Sequence, residues 1–326
     1  MAVGSYARAS DTGRKRRHNE DSFVVQPPLF AVADGMGGAQ AGEVASKLAA
    51  AALEETDPGS LSGPDKLVSL IREANRRVYE RASSDPSTSG MGTTMTVALV
   101  EGSHVTIGHV GDSRAYLVRD GSLEQLTEDH SLVNELLKSG KLSREEAEVH
   151  PQRSVITRAV GTDPDVDVDA FVVDANVGDI FLLCSDGLTD MVDDDDILET
   201  VDRHQDDLDR ATKSLVSAAN RGGGEDNITV VAFRIADDGD ATVQLPAQAT
   251  GADDDTLEHA VPMPTVDTMV VPADQVPDVF VEPGSPEALA VVRREPITPA
   301  ARARLVLTMV VLLAIAAVLL VVGLTR

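Results

Sequence analysis

Three aspartates stand where a run of apolar residues stops. Asp34 follows Leu29-Phe30-Ala31-Val32-Ala33 and opens the turn Asp34-Gly35-Met36-Gly37-Gly38. Asp186 follows Leu182-Leu183-Cys184-Ser185 and precedes Gly187, while Asp226 follows Arg221-Gly222-Gly223-Gly224-Glu225 and precedes Asn227 and the run Ile228-Thr229-Val230-Val231. Each is a carboxylate placed in a turn by the end of a buried strand, and the three could converge on one edge of a sheet. The adjacent glycines allow backbone conformations that a side chain would forbid and leave a carbonyl free to face a cation. Oxygen ligands of this kind suit the hard ions Mn²⁺ or Mg²⁺, and the lack of Cys/His clusters argues against zinc. Taken one at a time, an Asp-Gly after a strand is also what an ordinary hairpin turn looks like.

Two further segments, Arg16-Arg17-His18-Asn19-Glu20-Asp21 and Gly111-Asp112-Ser113-Arg114, join these three in an order similar to that of the PPM family, the metal-dependent type 2C protein phosphatases. The resemblance covers nearly all of residues 5 to 235. The piece His150-Pro151-Gln152-Arg153-Ser154 points to the bacterial branch, whose actinobacterial members often carry a linker and a membrane helix. It implies an α+β fold, a two-layer antiparallel β-sandwich flanked by α-helices. It also implies that Asp34 bridges two Mn²⁺ or Mg²⁺ ions, one sharing the Gly35 carbonyl and, directly or through water, Glu20, the other sharing Asp186 and Asp226. Arg16 would hold the substrate phosphate, since a planar guanidinium matches phosphate oxygens in bidentate fashion.

The resemblance gives Asp112 to a third cation position, with Ser154 as a hydroxyl or backbone ligand; the residues themselves equally allow Asp112 to cap the turn before Arg114 and Ser154 to be a loop serine. The reaction implied is attack of water on phosphoserine or phosphothreonine, with phosphorylated proteins, Ser/Thr kinases and kinase targets as partners. Where eukaryotic members commonly carry His this chain has Met36, so the general acid is not assigned. Cys184 lies in an apolar strand outside any Cys-x5-Arg phosphate loop and reads as packing. Residues Asp193 to Asp196 read as an acidic helix start, and His18 and His150 as surface or flap residues.

Elements able to position these groups are legible in the pattern. Phe23 to Val25, Leu29 to Ala33, Thr94 to Val100, Val105 to His109, Ala115 to Val118, Ile180 to Cys184 and Ile228 to Phe233 predict short strands. Glu43 to Leu53, Lys66 to Arg81 and Leu208 to Ala219 carry helical periodicity. Strands between Thr94 and Leu126 follow one another without a helix, which predicts largely antiparallel sheets. Residues 129–154 mix helical patterning with many charges and are expected to form a flap beside the site.

Beyond this region, 1–236, the texture changes. Residues 237–303 are rich in Pro, Ala and acids without a sustained apolar period and predict a disordered linker. Residues 304–324 are almost wholly apolar, long enough for a transmembrane helix, and follow Arg302. The excess of 54 acidic over 28 basic residues, a formal charge of -26, would repel a phosphate backbone and argues against nucleic acid as a partner. A single cysteine rules out an internal disulfide, and the N-terminus lacks an apolar signal core, so the catalytic region is expected in the cytoplasm with the C-terminal helix in the cell membrane.

Overall fold

A strand that is apolar on both faces must be covered on both, and several strands here are of that kind. The computed structural model describes residues 1–237 except 38–40, 58, 144–145 and 148–149, together with Met269–Val270. Its strands are β1 (Ala2–Asp11), β2 (Ser22–Gln26), β3 (Leu29–Ala33), β4 (Gly35–Met36), β5 (Gly92–Thr93), β6 (Met95–Glu101), β7 (His104–Val110), β8 (Arg114–Arg119), β9 (Ser122–Gln125), β10 (Val155–Ile156), β11 (Asp169–Asp174), β12 (Ile180–Cys184), β13 (Ile228–Ala236) and β14 (Met269–Val270). The helices are α1 (Ala41–Glu55), α2 (Gly63–Ser84), α3 (Leu132–Lys138), α4 (Asp186–Thr189), α5 (Asp194–Arg203) and α6 (Leu208–Gly222).

Two five-stranded antiparallel sheets, ordered β1-β13-β12-β8-β9 and β11-β7-β6-β3-β2, form the sandwich. Alternation along each central strand sorts the core into three layers. From β6, Met95, Val97 and Leu99 pack under α1 and α2, whereas Ala98 and Val100 face the other sheet. From β12, Ile180, Leu182 and Cys184 pack under α4 to α6, whereas Phe181 and Leu183 turn inward. The helices answer with their own stripes: α6 buries Leu208, Ala211, Thr212, Leu215, Val216 and Ala219, a 3.6-residue repeat that begins at its Asp207 cap. This is the expected α+β sandwich with flanking helices.

The same topology brings strand ends together. In one sheet the C-terminal ends of β3 and β7 both lie beside the N-terminal end of β6, through Val32↔Thr96 and Met95↔Val110. In the other, the C-terminal end of β12 lies beside the N-terminal ends of β8 and β13, through Cys184↔Arg114 and Cys184↔Val230. The short connection from β7 to β8 runs from one sheet to the other, so all these ends share one end of the sandwich.

Met269–Val270, inside the stretch expected to be an unstructured linker, pairs in parallel with β10. The rest of residues 238–303 and the expected transmembrane helix at 304–324 lie outside the described residues; among the described residues no helix is long and apolar enough to cross a membrane.

With no Trp in the chain, the space between the sheets is filled by stacked phenylalanines. The Phe233 ring lies 4.3 Å from Phe30 and 5.2 Å from Phe181, nearly parallel to both. Phe233→Ala would remove the middle of this stack, and denaturant unfolding should show a loss of about 3–5 kcal/mol; a loss below about 1 kcal/mol would mean that the sheets can close over the gap.

Candidate metal centre

Asp34 is held at the end of the sandwich by its main chain, and its carboxylate is buried among those of Asp21 and Asp186. Its N–H donates to Thr94 Oγ1 at 2.9 Å, and its carbonyl accepts from the Thr93 hydroxyl at 2.7 Å and from the Thr94 N–H at 2.9 Å. Thr94 Oγ1 in turn lies 2.8 Å from Ser113 Oγ, beside Asp112, so one threonine braces two of the expected ligand positions. Gly35 must be glycine: a Cβ there would stand 2.2 Å from the Gly42 carbonyl and 2.5 Å from the Glu20 carbonyl. Glu20 is fixed by a bond from its N–H to Asn227 Oδ1 (2.7 Å) and by one from the Ser46 hydroxyl to its carbonyl.

On the other sheet, Asp186 opens α4 and Asp226 precedes β13. Asp186 Oδ1 is buried without a hydrogen-bond partner among the described residues, as is Asp21 Oδ1. Arg16 Nη2 donates to Asp226 Oδ2 at 2.7 Å, and Asn227 N–H donates to Asp226 Oδ1 at the same distance. Burial lowers the Arg16 pKa, but the neighbouring charges of Asp226, Asp34 and Glu20 outweigh it and hold the guanidinium above its usual value.

The cluster is electrostatically loaded. Burial first, then the charges of Asp21, Asp186, Asp226 and Asp112, push Asp34 well above the carboxylate range. Asp186 is raised likewise, by burial and then by Asp112, Asp226 and Asp190. Burial, followed by Asp129 and Asp190, pushes Asp112 up to about 7. Among the described residues no three His, Cys, Asp or Glu side chains close around a single point. Asp34, Asp186 and Asp226 therefore share a cluster without forming a ring of three. An open set of oxygen donors, with an unpartnered carboxylate oxygen and repulsion for a cation to relieve, suits ions that keep several waters, such as Mg²⁺ or Mn²⁺.

A family profile described as protein phosphatase 2C matches residues 13–220. The chain belongs to the protein phosphatase 2C family. It is 43% identical over 255 residues to the serine/threonine protein phosphatase PstP of Mycobacterium tuberculosis, covering 77% of this chain and 49% of the relative, so it spans about half the length of that protein. It is 42% identical over 233 residues to the serine/threonine phosphatase stp of Listeria welshimeri, covering 68% of this chain and 92% of the relative. The crystal structure of the catalytic domain of PstP in complex with two manganese ions superposes with a TM-score of 0.66 at 40% identity, over 73% of this chain and 100% of that one.

Within this protein phosphatase 2C domain the structure gathers Arg16, Glu20, Asp34, Gly35, Asp112, Asp186 and Asp226 at one end of the sandwich. Ser154 is half-buried and makes no hydrogen bond to the cluster among the described residues, but its neighbour Arg153 reaches Asp190 (Nη2–Oδ2 3.7 Å). Two members escaped the sequence reading. Asp21 accepts from the Ser185 hydroxyl at 3.0 Å, and burial, joined by the charge of Asp226, pushes it up to about 6. Asp190 caps α4, one turn beyond Asp186, and is also raised, mainly by burial. Asp21 closes the segment Arg16 to Asp21 beside Glu20, and Asp190 follows Asp186-Gly187 at helical spacing; position in the motif was the available signal.

These shifts set a pH dependence for the cation-free protein. Unfolded aspartates titrate near about 4, whereas Asp21 and Asp112 hold their protons to about 6 and about 7 in the fold. The folded state therefore binds more protons across that window, and stability falls as pH rises through it. In chelator the melting temperature should drop between about pH 4 and pH 7, and added Mn²⁺ should raise it more at the upper end. A flat profile would show that burial and the neighbouring charges do not raise these carboxyls as described.

Proposed function

We propose that this chain is a metal-dependent Ser/Thr phosphoprotein phosphatase that hydrolyses phosphoserine and phosphothreonine. The observation that carries the proposal is the cluster of buried, unneutralised carboxylates at the sandwich end, with Arg16 against it, in a protein phosphatase 2C fold. Asp34, Asp186 and Asp226, with the Gly35 carbonyl and Glu20, would hold two divalent ions; Asp112, with Ser154, would serve a third. Bound ions supply Lewis-acid charge and activate water for in-line displacement.

The protein's own part is positional. Bonds from Thr93 and Thr94 to the Asp34 main chain fix where Asp34 presents its carboxylate, so little rearrangement accompanies the reaction. Arg16 sits beside Asp226 with 21% of its side chain exposed, where its guanidinium charge would face phosphate oxygens and balance charge as the bond to the leaving group breaks. The mechanism calls for no covalent enzyme intermediate, and the only cysteine, Cys184, is buried with its thiol pushed up to about 12 by burial.

Substrates would be phosphorylated proteins, among them Ser/Thr kinases and their targets. We read 1–236 as the phosphatase domain, 237–303 as a linker and 304–324 as a single membrane span. The charge-free apolar run and the preceding Arg293, Arg294, Arg302 and Arg304 support a span with the catalytic domain on the cytoplasmic side.

With Mn²⁺ and a phosphothreonine peptide, Asp34→Asn and Asp226→Asn should each lower kcat/KM by at least about a hundredfold. Full activity in excess chelator, or either variant within a few-fold of wild type, would overturn the assignment. For placement, the full chain should sediment with membranes while a chain ending after Ala236 stays soluble and active. Digestion of the catalytic domain by protease added to intact spheroplasts would reverse the topology.

A further inference from the structure

Two buried histidines that the proposed hydrolysis does not use, His109 and His130, lie just behind the Asp112 turn, with the half-exposed Arg158 and Asp169 beside them. His109 is fully buried, with Nδ1 3.0 Å from Thr96 Oγ1 and Nε2 3.1 Å from the Glu128 carbonyl. Burial, and then the neighbouring His130, pushes its pKa down to about 3, so it is a neutral spacer. His130 packs on it with ring centroids 4.7 Å apart and is itself 8% exposed.

His130 grips Gly111 on both sides, through its N–H and through its carbonyl. Its backbone N–H donates to the Gly111 carbonyl at 2.7 Å, and its ring Nδ1 accepts from the Gly111 N–H at 3.0 Å. Gly111 has φ +112, and a Cβ there would meet Thr94 Cβ at 2.6 Å, so the turn is confined by Thr94 on one side and by His130 on the other. The next residue is Asp112. The far side of the ring faces edge strand β11: Nε2 lies 3.1 Å from Asp169 Oδ2, and Arg158 Nη1 donates to Asp169 Oδ1 at 2.7 Å. Because a backbone N–H can only donate, Nδ1 is the acceptor and the ring proton sits on Nε2. The 3.0 Å approach of Arg158 Nη1 to His130 Nε2 is then the separation of two donors sharing one carboxylate. Burial, and then the Arg158 charge, lowers the His130 pKa, which keeps the ring neutral.

We propose that His130 is a positioning residue: Asp169 fixes its ring as the Nε2–H tautomer, the ring fixes the Gly111 main chain, and Gly111 fixes the carboxylate of Asp112. The chain of contacts runs from the edge of one sheet to the carboxylate cluster and resembles the outer partners that orient metal ligands. The consequence for Asp112 rests on the proposed cation site; the tautomer and the hold on Gly111 do not.

Two substitutions separate the halves of the ring. Asn places an acceptor near the position of Nδ1, whereas Gln places its amide near that of Nε2. In the full-length protein, H130Q should raise the Mn²⁺ concentration needed for half-maximal activation about tenfold, and H130N by no more than about twofold. In an Asp112→Ala background H130Q should add nothing further, because it acts through that residue. Imidazole ¹⁵N shifts should report Nε2–H for His130 in the wild type, and a mixture of tautomers in Asp169→Ala, a change at a partly exposed strand end. An Nδ1–H tautomer, equal effects of H130N and H130Q, or additivity with Asp112→Ala would overturn the proposal. Calorimetric Mn²⁺ titration reads the same shift without turnover. Absence of phosphatase activity would thus sink the proposed function while the tautomer and the titration still decide this one.

Discussion

The carboxyls of Asp21, Asp34, Asp112 and Asp186 are buried together at one end of the sandwich, and their mutual repulsion is the term that the surrounding structure has to contain. Left to itself such a cluster would spread apart or draw in water. It is held by main-chain restraints rather than by countercharges on each member. Thr93 and Thr94 grip the Asp34 peptide, Asn227 grips Glu20 and Asp226, and His130 grips Gly111. Beneath these restraints lie the aromatic stack between the sheets and the helices on either side. They supply the burial that offsets a site which weakens the fold.

Much of this was legible in the sequence, for a physical reason. Central strands such as β3, β6, β7, β12 and β13 are covered on both faces, so their apolar residues run almost without interruption and their ends are sharp. The aspartates at those ends, Asp34, Asp186 and Asp226, stood out for the same reason. Strand β1 did not: Ala2–Asp11 lies at a sheet edge, half-exposed, with Gly, Ser and Arg among its residues, and carries no clear period. The edge strands β9 and β11 were silent on the same ground.

What the sequence could not reveal are the relations between distant segments. His130 and Asp169 are unremarkable singly and acquire a role only when their stretches of chain meet that of Gly111. The same holds for Asp21 and Ser185, joined by one hydrogen bond across two sheets. The pairing of Arg16 with Asp226 also depends on the fold, which brings the loop after β1 against the loop before β13. A spacing rule sees residues along one chain; electrostatic coupling is set by distances through space.

The first and last long strands of the domain are neighbours, with Ala2 opposite Ala236, at the end of β13 away from Asp226. The outer ends of this strand pair, at Ala2 and Ala236, therefore lie on the side remote from the carboxylates. A force pulling Met1 and Asp237 apart would peel β1 from β13 one hydrogen bond at a time, in unzipping geometry. It would release Arg16 and its loop from Asp226 only after the whole ladder had opened, so the carboxylate end is the part of this strand pair best shielded from mechanical load.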